Sequence, residues 1–280
     1  MILGRYEIHM IHAGEYRLDG GAMFGVVPQV LWKKNCPPDE KNRIRMSLNT
    51  LLLVGDGRVI LIDTGVGYKI SEKFKEIYAV DYSRHHLLKS LLALNITPED
   101  VTDVVLTHLH FDHVGGATIE EEGELKLQFP HATYYVQKKQ LEWSKKKFEK
   151  DRASYLTENI DPLVSSNQLK VLNGEVELFK DVQILLSDGH TIAQQTVLIH
   201  GEGKKLWYAA DLIPMRAHVP IPWVMAYDLA PAKTIEEKKR FLKTAAEEKW
   251  MVFFEHDPQI YCSYVEEGPR DYQAAGEIRF

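Results

Sequence analysis

The chain has 280 residues, long enough to bury a full core without disulfide or metal staples, and 26% of them are charged, as in ordinary globular proteins. Its 34 basic and 40 acidic side chains give a net charge of −6, which argues against the basic stripe of a nucleic-acid binder. No apolar run approaches the roughly 18 residues of a membrane span. The N-terminal stretch lacks the basic start and apolar run of a signal peptide. The two cysteines, Cys36 and Cys262, have no finger spacing and read as free thiols in a reducing cytoplasm.

In chain order, Leu51–Val54 and Val59–Ile62 flank Gly55-Asp56-Gly57 and predict a buried hairpin. Leucines at 87, 88, 91, 92 and 94 predict an amphipathic helix over 84–95. Thr97-Pro98-Glu99-Asp100 predicts a short helical turn capped by Thr97. Val104–Leu106 reads as a buried strand, and 132–136 as another. The lysine-rich stretch 137–150 reads as a surface helix with a solvated face. Strands are predicted over 182–186, 196–200 and 205–209, with Gly201-Glu202-Gly203 as a turn. Thr234-Ile235-Glu236-Glu237 has the form of a capping box opening a helix to about Glu248. Trp250–Glu255 is a last buried strand ending at His256. No composition break marks a linker, so 1–280 reads as one domain.

The segment that carries chemistry is Thr107-His108-Leu109-His110-Phe111-Asp112-His113-Val114-Gly115-Gly116. Three histidines and a carboxylate follow a buried strand directly, and imidazole with carboxylate suits zinc and similar first-row metals. Strand alternation would put His108 and His110 on one side, to grip one ion, with Asp112 and His113 turned toward a second. Gly115-Gly116 would let the backbone turn away tightly. His200 reads as a surface residue, and His85 and His86 as structural or solvated.

Here the chain resembles the metallo-β-lactamase superfamily, whose signature is H-x-H-x-D-H. Asp63-Thr64-Gly65 matches that family's D-x-G element, Asp188-Gly189-His190-Thr191 its G-H-T element, and Asp211 and His256 its later ligands. The resemblance implies a four-layer αββα sandwich, an α/β fold. It also implies two divalent ions, zinc first, with iron, manganese or cobalt as alternatives. One ion would take His108, His110 and His190, the other Asp112, His113 and His256, and Asp211 would bridge them. A metal-bound hydroxide would attack the substrate, with Asp112 as the catalytic carboxylate that orients it and carries a proton to the leaving group.

Asp19–Pro28, Leu31-Trp32 and Trp223–Asp228 are similar to segments of the quorum-quenching lactonase (YtnP-like) branch, and Asp211-Leu212-Ile213-Pro214 to the methyl parathion hydrolase branch. Met23, Phe24, Trp32, His218 and Trp223 are therefore substrate-binding candidates. Residues 20–32 remain open between pocket wall, dimer contact and core, so a homodimer is among the readings. No tyrosine closely follows Asp211, where acyl-homoserine lactonases carry one. The expected substrate is a small lactone or carboxylic ester, with no nucleic-acid or membrane partner. The alternatives are phosphotriester hydrolysis on the same ions and, more remotely, a mononuclear iron persulfide dioxygenase.

Overall fold

The computed structural model describes all 280 residues. By internal packing the chain forms two compact units, one of Met1–Gly14 and Leu48–Gly174, the other of Glu15–Ser47 and Glu175–Phe280. No helix is long and apolar enough to cross a membrane.

One seven-stranded sheet, most of whose residues are in the first unit, has the order Ile2–Leu3, Tyr6–Asp19, Arg43–Gly55, Arg58–Ile62, Asp103–Val105, Thr133–Gln137, Leu169–Leu172. The predicted hairpin is present, with Gly55 paired to Arg58 across Asp56-Gly57. Those two residues have φ of 52° and 70°. Left-handed geometry at both is the type I′ turn that joins twisted strands, and Asp-Gly tolerates it best. From Arg58–Ile62 onward the strands run parallel, and Leu51–Leu53, Ile60–Ile62 and Val104–Val105 are completely buried. Parallel order sends their carboxyl ends to one edge of the sheet, where Asp63 and Thr107 follow. Thr97 N–H and Oγ1 both donate to Asp100 Oδ2, at 2.8 Å, in the predicted turn.

The second unit has a seven-stranded sheet ordered Val176–Phe179, Val182–Ser187, Gln194–Gly201, Lys204–Tyr208, Met251–Phe253, Cys262–Glu267, Tyr272–Ala275. All pairs are antiparallel except Lys204–Tyr208 with Met251–Phe253. Asp211 and His256 follow the carboxyl ends of that parallel pair. The helix Pro231–Glu247 covers this sheet by burying Phe241 and Leu242 among Trp207, Trp250 and Phe254, with Phe241 stacked on Trp207 at 5.0 Å.

Three predicted helices differ, the 84–95 helix being only Leu87–Leu92. The 137–150 helix is only Lys138–Ser144. It buries just Gln140 and Ser144, so nothing holds the lysine run beyond it in helical form, and Trp143 Nε1–H donates instead to Asp151 at 2.7 Å. The last helix begins three residues before the supposed cap, at Pro231, whose fixed φ and missing N–H suit a first turn. Thr234 is therefore inside the helix, and Glu237 is free for another task.

Candidate metal centre

In the first unit the strand stops at Val105, so His108 and His110 stand on a loop rather than at a strand end. The loop still pairs them, with His108 Nε2 3.0 Å from His110 Nδ1. Asp112 and His113 lie on the short helix Phe111–Val114, with Asp112 Oδ1 3.9 Å from His113 Nε2. All four are buried.

Asp63 organises this half. It is itself completely buried, and it accepts from the Thr107 N–H at 2.7 Å and from the Thr107 hydroxyl at 2.6 Å. His113 Nδ1 lies 3.0 Å from its other contact, Oδ2. The loop after Asp63 then holds the far side of the ligand segment: Thr64 N–H and Oγ1–H both donate to the His113 carbonyl at 2.8 Å. Gly115 and Gly116 permit that closeness. A Cβ on Gly115 would lie 1.9 Å from the Val66 carbonyl oxygen, and one on Gly116 2.2 Å from that of Thr64. Gly115 has φ −58°, so close approach, not the tight turn expected from sequence, is what requires glycine there. Lys69 adds bonds to the Gly115 and Thr118 carbonyls at 2.7 and 3.0 Å. Burial draws its pKa down to about 8.

In the second unit His190, Asp211 and His256 are buried together. Asp211 Oδ2 is 3.2 Å from His190 Nε2, and Asp211 Oδ1 is 3.2 Å from His256 Nε2. Each carboxylate oxygen thus addresses a different imidazole. The other ring nitrogens are held from behind: His190 Nδ1 by Asp228 at 3.0 Å, His256 Nδ1 by the Ser47 carbonyl at 2.9 Å. Such contacts fix tautomer and ring orientation at metal-binding histidines. Glu237 accepts from Ser187 Oγ and from the N–H groups of Asp188 and Gly189 at 2.9–3.1 Å, which pins the loop leading to His190. Ala210, just before Asp211, has φ 47°, a strained conformation for a residue with a Cβ.

The residues 213–218 shape the loop after Asp211. Met23 and Phe24 have no exposure, and Trp32 and His218 have 2% and 1%. Phe24 is stacked between Trp32, at 5.3 Å, and His218, at 4.6 Å, with Trp223 edge-on at 5.7 Å. His218 Nε2–H donates to the Met23 carbonyl at 2.8 Å. Burial pushes the imidazole down to about 4, so it is neutral, although the bond to Met23 and the charges of Asp228 and Asp211 act the other way.

No local pattern in the sequence points to Asp228, the Ser47 carbonyl or Glu237 as supports. Asp228 lies 38 residues from His190 with no local pattern linking them, and a backbone carbonyl carries no residue signal at all. Tyr155, whose ring meets His110 edge-on at 4.9 Å, was equally silent.

Residues 44–256 match the sequence profile of the metallo-beta-lactamase superfamily. The chain belongs to that superfamily. An N-acyl homoserine lactonase of Bacillus cereus is 28% identical over 163 residues, which span 57% of each protein. The N-acyl homoserine lactonase AiiA of Bacillus thuringiensis subsp. kurstaki is 25% identical over 61% of this chain and 62% of its own. The chain thus matches less than two thirds of these relatives' length. Among solved structures, a "probable metal-dependent hydrolase" from Staphylococcus aureus is 29% identical over all of both chains, with a TM-score of 0.89. AidC, a dizinc quorum-quenching lactonase, superposes over all of this chain and 97% of its own with a TM-score of 0.82 at 24% identity, a likeness of fold. The metallo-β-lactamase fold implied by the H-x-H-x-D-H resemblance is therefore the fold of this chain, an α/β architecture with two large sheets.

Proposed function

We propose that the protein is a dinuclear-metal hydrolase of lactones or carboxylic esters, acting through residues 1–280 as one functional domain, and more finely a quorum-quenching lactonase. The observation that carries the reading is Asp211, whose two oxygens each stand 3.2 Å from a different histidine nitrogen. A carboxylate so placed suits sharing between two ions. The donor set fits the group: buried imidazole nitrogens and carboxylate oxygens, with Asp63, Asp228 and Ser47 behind three of the rings, is the chemistry of zinc and its neighbours.

In this reading His108, His110 and His190 would hold one ion, Asp112, His113 and His256 the other, and Asp211 would be shared. Two divalent ions supply Lewis acidity and an acidified water at neutral pH. Asp112 would orient the attacking water, accept its proton on a carboxylate oxygen and pass it to the leaving alkoxide. Asp63, Asp228 and the Ser47 carbonyl keep their histidines in one tautomer throughout. The relatives named N-acyl homoserine lactonases support a lactone substrate, and the two buried free thiols support a reducing, cytoplasmic setting.

The test is metal analysis with kcat/KM for a medium-chain γ- or δ-lactone, an acyl-homoserine lactone and an aryl phosphotriester on one zinc-loaded preparation. Two metals per chain and preference for a lactone are expected. A phosphotriester that leads by about tenfold or more replaces this reading with organophosphate hydrolysis. A single iron with oxygen consumption on a persulfide replaces it with the dioxygenase.

A further inference from the structure

The second unit contains a cavity of about 680 Å³, within the range of small-molecule sites. None of the seven proposed metal ligands lines it. Arg17, Arg45 and Arg216 stand in its wall beside one carboxylate, Asp257. Asp257 is occupied with its own loop: Oδ2 accepts from the Arg216 N–H, and Oδ1 from the N–H groups of Gln259 and Ile260, each at 2.9 Å. Arg45 is paired with Glu15. That leaves two guanidinium groups in no ion pair. The Arg17 side chain is half-buried yet makes no hydrogen bond or ion pair, and the half-buried Arg216 side chain reaches only the Gln259 amide oxygen at 3.4 Å.

Cys36 adds no negative charge to this wall. Burial, with Asp257 nearby, pushes its thiol up to about 12, against a smaller opposite pull from Arg216. Met215, Pro220 and Trp223 supply apolar surface on the same cavity. A guanidinium that gives up part of its hydration without a counter-charge is at a disadvantage that a bound anion would relieve. Its planar fork matches the paired oxygens of a carboxylate or phosphate.

We propose that this cavity binds a small organic anion, with Arg17 and Arg216 as the counter-charges of its carboxylate or phosphate and Trp223 against its apolar body. The test is calorimetric titration of the full chain, purified with its metals, with hexanoate, hexyl phosphate and hexan-1-ol. An anion should bind at least about tenfold more tightly than the alcohol. Arg17→Gln and Arg216→Gln should each weaken it about tenfold, and the double variant about a hundredfold, since each fork-to-oxyanion contact is worth on the order of one decade. Whichever of hexanoate and hexyl phosphate binds more tightly identifies the headgroup. Equal anion binding by wild type and the double variant would place the anion on the metals and overturn the proposal. So would an alcohol that binds as well as the anions, or no binding of either anion. If the double variant does not fold, Arg17→Gln alone decides, because that side chain holds no other group in place.

Discussion

At the scale of single residues, ligands and supports differ in how they act. Asp63 touches no substrate in the proposed mechanism, yet, itself completely buried, it satisfies an N–H, a hydroxyl and an imidazole. Asp63→Ala should strand those donors and cost roughly 3 kcal/mol of stability, because an unmet buried donor costs about 1–3 kcal/mol. It should also weaken metal binding by about 10–100-fold through the loss of orientation of His113. Denaturant unfolding together with a metal-competition titration checks both, and unchanged metal affinity would reduce Asp63 to a folding role. The proposed ligands were legible as candidates because four of them stand within six residues of sequence. Asp63 was marked by the Asp63-Thr64-Gly65 match, but Asp228 and the Ser47 carbonyl were not legible, because only folding brings them to His190 and His256.

Among the elements, the segment 20–32 turns out to be two short helices, Gly20–Phe24 and Gln29–Trp32, locked to the turn Arg216–His218 by stacked rings. Gly20 makes room for this, since a Cβ there would lie 2.4 Å from the Trp32 ring. With Phe24 fully buried, Phe24→Ala should lose about 3–5 kcal/mol, the usual cost of emptying a packed aromatic site. Urea unfolding measures it; a loss below about 1 kcal/mol with altered substrate preference would return Phe24 to the pocket wall.

The same contact has a pH signature. His218 ordinarily titrates at 6.5 but is held to about 4 when folded, by burial. The unfolded chain therefore takes up a proton that the folded chain refuses as pH falls below 6.5. This contribution to stability is complete above 6.5 and is lost as pH falls toward 4. His218→Gln, which keeps a donor for the Met23 carbonyl, should flatten that part of the stability curve. Unfolding free energies of both proteins between pH 7 and pH 4.5 give the comparison, and parallel curves would show that His218 titrates normally.

For the molecule as a whole, metal should be a component of folding stability, because ions that bind only the native ligand set stabilise it by mass action. Chelation should lower the melting temperature and remove activity together. Asp211→Ala should show reduced metal content, reduced activity and a smaller further drop on chelation. A fully loaded and active Asp211→Ala protein would end the bridging assignment.

The sequence by itself determined the superfamily, the strand–ligand order and the Asp-Gly hairpin, because each is written in adjacent residues: H-x-H-x-D-H after an apolar strand, or two turn residues between apolar runs. It marked Gly115 and Gly116 as a tight turn, whereas the tertiary structure shows the Val66 and Thr64 carbonyls where a Cβ would be. Only the folded chain decided that the helix after Val136 stops at Ser144, since periodic charge without a buried face gives no packing to sustain it. It alone decided that Met23, Phe24 and Trp32 are buried and that Arg17 and Arg216 border a cavity. Side-chain type gives the chemistry a residue can perform. Which neighbours it meets depends on how distant segments come together, as residues 17 and 216 do around one cavity, and no local pattern in the sequence records that.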